Sequence, residues 1–144
     1  MTDELLRSGQ AVPEWNGQRQ EALIRALLTS GGQGIDIENV PGADFYYKMV
    51  AKIDHEYYSI WDVDCKYTMN EIKYQPVKPQ KKGGYFVYQE LENAIFADVM
   101  FNPTAGNFCA PRTILKCICW GDRLRYGPKL CFSYLVPVAE LGLP

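Results

Sequence analysis

The chain contains 144 residues, of which 47% are hydrophobic and 22% are charged. This composition is ordinary for a globular protein and excludes disorder of the whole chain, and the length is typical of one domain. The formal net charge is −2, with acidic residues concentrated before residue 45 and basic residues after residue 100. An imbalance this mild does not predict general binding of nucleic acid.

The sequence also predicts a compartment. No apolar run approaches the length that crosses a membrane, and the N-terminus has no basic segment followed by an apolar one. The five cysteines are an odd number without paired spacing, which fits a reducing compartment better than a disulfide framework. We therefore expect a cytoplasmic protein, made in that cytosol or delivered into it, that does not contact membranes.

Residues 1–34 are predicted to form a helical segment with a glycine-rich joint, and residues 35–144 a single α+β domain. Glu4–Arg7 has a weak helical tendency. Gln18–Leu28 is the stronger helix, because apolar residues recur in it at helical spacing. These residues are Ala22, Leu23, Ala26 and Leu27. The helix either packs on the domain, which we favour, or offers a surface for a partner or for self-association.

Strands predominate after residue 44. Phe45–Ile53 alternates in polarity and places its more apolar residues on one face, with Lys48 on the other. The residues of the apolar face are Phe45, Tyr47, Met49, Ala51 and Ile53. The dipeptide Asp54-His55 predicts a tight turn into a second strand over Glu56–Trp61. A third extended segment is predicted near Lys66–Thr68.

The most specific stretch of the sequence is Gly83–Ala97. A glycine pair, Gly83-Gly84, leads into a short aromatic strand over Tyr85–Tyr88. A helix over Glu90–Val99 follows almost without a loop, with acidic residues in its first turn, where they suit the helix dipole. A glycine-led strand that runs directly into a helix forms a concave corner, and we expect a ligand site there.

The C-terminal third predicts the centre of a sheet. Thr113–Trp120 is nearly continuously apolar, which is typical of a central strand. Gly121-Asp122 is predicted to turn the chain, Arg123–Tyr126 to form a short edge strand, and Gly127-Pro128 to turn it again before a last strand over Leu130–Val136. The predicted class is α+β, with a mostly antiparallel twisted sheet of five to six strands and one or two packed helices.

No catalytic signature is present. The chain has one histidine, His55, and lacks the glycine fingerprints of nucleotide-binding proteins, the nucleophile elbow and the zinc-protease helix. His55 is either a general base oriented by a neighbouring carboxylate or, as we favour, an exposed turn residue.

The cysteines allow a zinc site or a core. Cys117 and Cys119 lie two residues apart on a predicted strand and therefore share a face, and Cys109 and Cys131 could approach them from neighbouring segments to complete a set of four thiolates. The Cys-x-Cys spacing lacks the tight turn of a structural zinc site. Because buried thiols behave as small hydrophobic groups, we favour a core role and expect no metal.

Basic and aromatic residues surround the predicted corner. The candidate ligand-binding residues are Lys81, Lys82, Tyr85, Tyr88, Arg123 and Arg125. If the sheet brings the last two and Lys129 beside the first two, they could hold a phosphate-bearing ligand or an acidic protein partner. The alternative is that these residues only keep the sheet edges soluble.

Part of the corner resembles a known superfamily. Gly83–Tyr88 followed by Glu92–Ala94 is similar to the glycine–aromatic strand and alanine-bearing helix of ADP-ribosyltransferase-like folds, whose corner holds the nicotinamide end of NAD. The resemblance implies that Tyr85 stacks on nicotinamide and that Glu92 stabilises the forming oxocarbenium ion. The element order from residue 83 to 141 also resembles that of small uncharacterised domains in phage and large-virus proteins.

The chain departs from the transferase pattern at the first strand. Tyr46–Val50 has neither the His-Gly nor the Arg found there, and the Glu-x-Glu of the family occurs only as Glu90 and Glu92 on the helix. We therefore expect a non-enzymatic binding domain without a cofactor that recognises a protein partner or a small ligand. The alternative is an NAD-using enzyme of the ADP-ribosyltransferase type.

Overall fold

The structure is a computed structural model that describes residues 4–7, 17–29, 37–60, 62, 64–80, 83–96, 107 and 110–142. In chain order, its elements are β1 (Glu4–Arg7), α1 (Gly17–Thr29), a 3₁₀ turn (Ile37–Asn39), β2 (Asp44–Ile53), β3 (Glu56–Tyr58), β4 (Lys66–Tyr67), β5 (Lys73–Tyr74), β6 (Tyr85–Tyr88), α2 (Leu91–Ile95), β7 (Arg112–Tyr126) and β8 (Lys129–Glu140).

The α+β prediction is confirmed. Within the described ranges, eight strands form one sheet in which every pairing is antiparallel. This is more than the five to six strands expected, because two short strands, β1 and β5, were not predicted. The β2–β3 hairpin has the expected turn at Asp54 and His55, whose φ angles are 51° and 68°. Such positive values are typical of tight hairpin turns.

Four strands close into a ring. β7 pairs with β8 on one side and with Asp44–Ala51 of β2 on the other. β6 pairs with β8 over four residues and with β2 at Tyr47 and Tyr88. The ring β2–β7–β8–β6 therefore has an inside and an outside, as in a small barrel.

The inside of the ring is the main hydrophobic core. It contains alternate residues of each strand, among them the fully buried Val50, Val87, Leu115 and Phe132. The odd-numbered face of β2 was predicted to be apolar, yet the ring interior takes the even-numbered face. Tyr46 and Val50 lie there, and Lys48 stands between them in the strand. The odd-numbered Phe45 packs in the outer cluster instead.

Helix α1 covers the outside of the ring, as the favoured alternative predicted. Its Ile24 is fully buried in a cluster with Trp120 and Val136. The predicted stripe was partly wrong, because Ala22 and Ala26 are exposed. The helix instead buries larger groups on the adjacent stripe, including Ile24 and Gln20, whose Nε2 donates to the Pro41 carbonyl at 2.6 Å.

Two local predictions were wrong. Glu4–Arg7 is strand β1, not a helix, because pairing with Asp122–Arg125 of β7 overrides its weak helical tendency. Gly121-Asp122 is not a turn, since β7 continues through it with a register shift between Trp120 and Arg123. Gly121 has a φ of 93°, and the Asp122 N–H donates to Ser133 Oγ at 3.0 Å, so the glycine forms a bulge within the strand.

Strand β6 occupies the predicted residues, and helix α2 follows it. The predicted helix Glu90–Val99 is described as Leu91–Ile95, and the residues after Phe96 lie outside the described ranges. Ala94 is fully buried, while Leu91, Glu92 and Asn93 are exposed.

Candidate functional site

A cavity of about 390 Å³ lies where the ring meets the loops after β3 and before β6. Its size is within the range of small-molecule sites. The described lining residues are Lys48, Ser59, Asp62, Cys65, Tyr67, Gln75, Gly83, Gly84, Tyr85, Phe86 and Lys129. Two lysines and three aromatic residues thus line the same cavity as the predicted glycine pair.

The glycine pair brings the loop before β6 close to β8. Gly84 has a φ of 78°, and a Cβ on it would meet Cys131 Sγ, with Val77 Cγ2 at 2.9 Å. The Cys131 thiol donates to the Gly83 carbonyl at 3.1 Å. A side chain at either glycine would push the loop outward, so these residues fix the shape of the cavity wall.

Lys48 extends from the interior face of β2 to the cavity. Its Nζ donates to the Phe86 carbonyl of β6 at 2.7 Å and lies 5.7 Å from the centroid of the Tyr67 ring. Within the described ranges, no carboxylate forms an ion pair with this amine. Its hydrogen-bond partner is therefore a neutral carbonyl, and its neighbours are an aromatic ring and thiols.

Burial lowers the pKa of the Lys48 amine below its ordinary value of 10.5. The residue as a whole is partly exposed, but its amine is buried. Thiolates at Cys117 and Cys131 would oppose this effect, yet burial raises the pKa of both thiols to about 12. At neutral pH these groups are uncharged, so the depressed pKa of the amine stands.

Two buried tyrosines form the aromatic wall. Tyr67 and Tyr85 are 2% and 6% exposed, and their rings meet edge to face with centroids 6.2 Å apart at 70°. Burial raises the pKa of Tyr85 to about 12 and that of Tyr67 well above its ordinary value, so both phenols stay neutral. They contribute apolar faces and neutral hydroxyl groups rather than charge.

Phe86 connects the two cavity lysines. Its carbonyl accepts the hydrogen bond from Lys48, and its ring lies 5.6 Å from Lys129 Nζ. The same ring contacts Tyr126 at a centroid distance of 5.7 Å. One residue of β6 thus positions both amines.

The opposite rim is the loop after β3. Ser59 Oγ accepts the Asp62 N–H at 3.2 Å, and Asp62 Oδ1 accepts the Asp64 N–H at 3.0 Å. Short polar side chains that bond nearby backbone amides in this way form compact turns. Asn107 holds the loop further, since its Nδ2 donates to the Ser59 carbonyl at 3.0 Å. The loop carries Cys65, which is partly exposed, to the cavity.

The predicted ligand-binding residues do not all meet. Tyr85 lines the cavity, and so does Lys129. Arg123 instead hydrogen-bonds with the Tyr46 side chain, and Arg125 is exposed with its Nη1 3.4 Å from the Gly127 carbonyl. Neither arginine is among the described lining residues, and the same is true of Tyr88, which pairs with Lys129 through the backbone. Lys81 and Lys82 lie outside the described ranges.

The other candidate residues lie apart from the cavity or in its wall. Glu92 is exposed on α2 and is not among the described lining residues, and His55 is exposed in its turn. Cys117, Cys119 and Cys131 are buried thiols, as the core alternative predicted; the first two belong to the ring interior, and Cys131 packs against the glycine pair. Cys109 lies outside the described ranges. In the part of the chain that the structure describes, no group of three or more metal-ligating side chains is placed to hold a metal ion.

Comparison with known proteins adds no family. No protein-family model, curated protein or solved structure matches this chain. Neither helix of the described ranges has the length and hydropathy needed to cross a membrane.

Sequence reasoning missed most of the cavity. Lys48 was placed on the polar face of β2, and Tyr67, Cys65 and Asp62 were not connected with the glycine corner. The signal available for Lys48 was its position between Tyr46 and Val50 on one face of a strand, where a lysine interrupts an apolar pattern.

Proposed function

We propose that this protein is a binding domain for a small, planar, anionic molecule that occupies the cavity beside Gly83-Gly84. The observation that carries the proposal is the presence of two lysines and three aromatic residues around one space of about 390 Å³. Sites for small molecules combine apolar and aromatic walls with a few placed polar groups, and this cavity has that composition.

The charge of the cavity favours an anion. Lys48 and Lys129 supply two amines, whereas Asp62 is the one carboxylate among the described lining residues and is exposed at the rim. Lysine binds carboxylate and phosphate groups as a compact charge. A carboxylate or phosphate on the ligand would therefore lie toward Lys129.

The aromatic residues favour a planar ligand. The Tyr67 and Tyr85 rings meet edge to face at 70°, and Lys129 Nζ lies over the Phe86 ring. A flat ring can lie against one of these faces and meet the edge of another, which are the preferred geometries of aromatic pairs. The pre-formed wall costs little conformational entropy on binding.

The sequence analysis expected either a protein partner or a small ligand at the aromatic and basic corner, and this proposal favours the small ligand. A protein partner remains the broader alternative, and its docking would involve the exposed face of α1 or of α2. The four cysteines within the described ranges are free thiols, three of them buried, which is compatible with the reducing cytoplasm that we propose as its location.

The NAD alternative assigns roles to two residues, Tyr85 and Glu92. Tyr85 lines the cavity, while Glu92 is exposed on α2. Titration with NAD distinguishes the two functions, because an NAD enzyme would show a rise in the melting temperature Tm with NAD and release of nicotinamide.

The proposal is tested with two probes, 4-(hydroxymethyl)benzoate and phenyl phosphate. Each is titrated into the full chain while Tm and heat of binding are measured. We expect Tm to rise with the logarithm of probe concentration above the dissociation constant. Lys129→Met should weaken binding of both probes.

Lys116→Met is the matched control. Lys116 also lies over a phenylalanine ring, with its Nζ 4.2 Å from the centroid of Phe45, but it does not line the cavity. This variant should bind both probes as the unmodified chain does. Absence of binding at millimolar probe, or an equal loss in the two variants, would contradict the proposal.

A further inference from the structure

We propose that Lys48 is a nucleophilic amine that captures an aldehyde or ketone as an imine inside the cavity. This inference rests on the proposed function, because the carbonyl compound must first bind as a small planar molecule beside Phe86. It assigns to the cavity a covalent step and a substrate class, a carbonyl compound bearing an anionic group.

The first support is the position of the amine. Lys48 lines the cavity, and its Nζ donates to the Phe86 carbonyl at 2.7 Å. An ammonium has three N–H donors, and the structure describes one acceptor for them. The amine is therefore held by β6 at the cavity wall, and its remaining donors have no described acceptor with which a bound molecule would compete.

The second support is the neutral environment. Tyr67 faces the amine from β4, and the thiols of Cys117, Cys119 and Cys131 lie near it on β7 and β8. Burial raises the pKa of all four groups, so none of them carries a negative charge at neutral pH. The loop after β3 adds the Cys65 thiol near the amine and the Asp62 carboxylate at the cavity rim, and neither forms a described ion pair with Lys48. Lys73 brings a second amine to the Tyr67 ring, with its Nζ 5.9 Å from the centroid. Loss of a proton from Lys48 thus breaks no ion pair and relieves a buried charge.

The chemistry balances without a further reagent. The lone pair of the neutral Lys48 amine attacks the carbonyl carbon, and the carbon–oxygen π bond opens to a carbinolamine. A carbon–nitrogen double bond then forms as the oxygen departs. Both amine protons leave with that oxygen as water, so the products are an imine and one water molecule.

The rest of the cavity suits this reaction. Lys129 lies on the ring side of Phe86 and would hold the anionic group, which orients the carbonyl toward Lys48 on the other side of the same residue. Cys65 also lines the cavity, and its thiol can add to an aldehyde. That adduct has no carbon–nitrogen double bond, so hydride reduction traps only the lysine product.

The test uses 4-formylbenzoate with sodium cyanoborohydride on the full chain at neutral pH, followed by peptide mass spectrometry. Hydride transfer to the imine carbon makes a stable secondary amine on the lysine that reacted. We expect Lys48 to be modified faster than the exposed Lys78, because a lowered pKa leaves a larger fraction of its amine neutral at the same pH. An excess of 4-(hydroxymethyl)benzoate, which cannot form an imine, should slow modification of Lys48 and not of Lys78.

Two variants complete the test. Lys48→Arg keeps a positive charge and a donor for the Phe86 carbonyl, and Lys48→Met removes both. Neither variant has an amine at position 48, so neither should give the cavity adduct. The rate comparison within the unmodified chain does not depend on whether these variants fold. Modification of Lys48 no faster than of Lys78 would overturn the inference. If 4-(hydroxymethyl)benzoate then still binds, the proposed function stands, and if it does not bind, both fail.

Discussion

The carboxylate of Glu140 accepts the hydroxyl of Tyr57 at 2.6 Å and thereby joins β8 to β3. Thr113 Oγ1 of β7 donates to the same carboxylate at 2.7 Å, and Lys52 Nζ of β2 at 3.0 Å. Four strands meet at this one group. The hydrogen bonds from Tyr57 and Thr113, with the nearby Lys52, hold the pKa of Glu140 at about 2, below its ordinary 4.5.

This shift predicts acid sensitivity. A carboxyl whose pKa is lower in the folded chain contributes stability above the unfolded value, and that contribution disappears as the pH falls from about 4.5 to about 2. We expect the free energy of unfolding, measured in urea at pH 6 and at pH 3, to fall in the unmodified chain. In Glu140→Gln the fall should be smaller.

Glu56→Gln is the control for this prediction. Hydrogen bonds from Lys66 and Tyr58 also lower the pKa of Glu56, but this pair is exposed and screened by solvent. Its replacement should change the pH dependence less than replacement of Glu140 does. Equal pH dependence in Glu140→Gln and the unmodified chain would show that the network does not stabilise the fold.

The glycine corner makes a prediction about stability. Gly84→Ala places a Cβ against Cys131 Sγ and Val77 and also strains a φ of 78°. Gly127→Ala strains a φ of 64° in open space. We expect Gly127→Ala to cost about 1–2 kcal/mol from backbone strain alone. Gly84→Ala should cost about 1–3 kcal/mol more, because the core is overpacked. Urea denaturation measures both, and equal losses would refute the close approach at Gly84.

Truncation of the buried residue of helix α1 should lower the stability of the chain without changing its oligomeric state. Ile24 is fully buried against the outer face of the ring, so Ile24→Ala should cost about 2–5 kcal/mol in unfolding free energy. The exposed Ala26, changed to Ser, should cost little. Sedimentation should give the same mass for both variants and for the unmodified chain. A shift in mass with Ile24→Ala would mean that the helix contacts a second copy.

The burial of the cysteines predicts the order in which their thiols react with an alkylating reagent. In a Cys109→Ser background, Cys65 should be the first thiol to react with iodoacetamide in the folded chain, because it is partly exposed. Cys117 and Cys131 are buried with pKa values of about 12 and should react only after unfolding. Mass spectrometry of samples quenched at intervals follows this order. Early modification of Cys117 would place it outside the core.

The elements that the sequence predicted well are local ones. The β2–β3 hairpin was predictable because its alternation and its turn residues are adjacent in the chain, and the Tyr85–Tyr88 strand because glycines and an aromatic run mark its bounds. Strand β1 was missed because its four residues form a strand only through pairing with β7, more than a hundred residues away.

The site was harder to predict for the same reason. Whether Lys48 lies inside or outside depends on closure of the ring, and the period of a strand separates two faces without saying which one is buried. Arg123 and Lys129 lie close together in the sequence, yet they occupy different sites. The bulge at Gly121 and the strand pairings place Arg123 against Tyr46 and Lys129 at the cavity. The sequence therefore predicted a site of basic and aromatic residues, but which of these residues line the cavity depends on the strand pairings.

The hydrogen bond from Lys48 to Phe86 spans the junction at which β2 and β6 close the ring. The backbone pairing described between these strands involves Tyr47 and Tyr88 alone, so the lysine adds a second polar connection to their side-chain packing. A ligand that takes this donor competes with the sheet for it, and an unprotonated imine nitrogen has no N–H left to give. If the proposed imine forms, occupancy of the cavity and closure of the ring would therefore be thermodynamically coupled, and ligand chemistry at one amine would change how firmly two strands are joined.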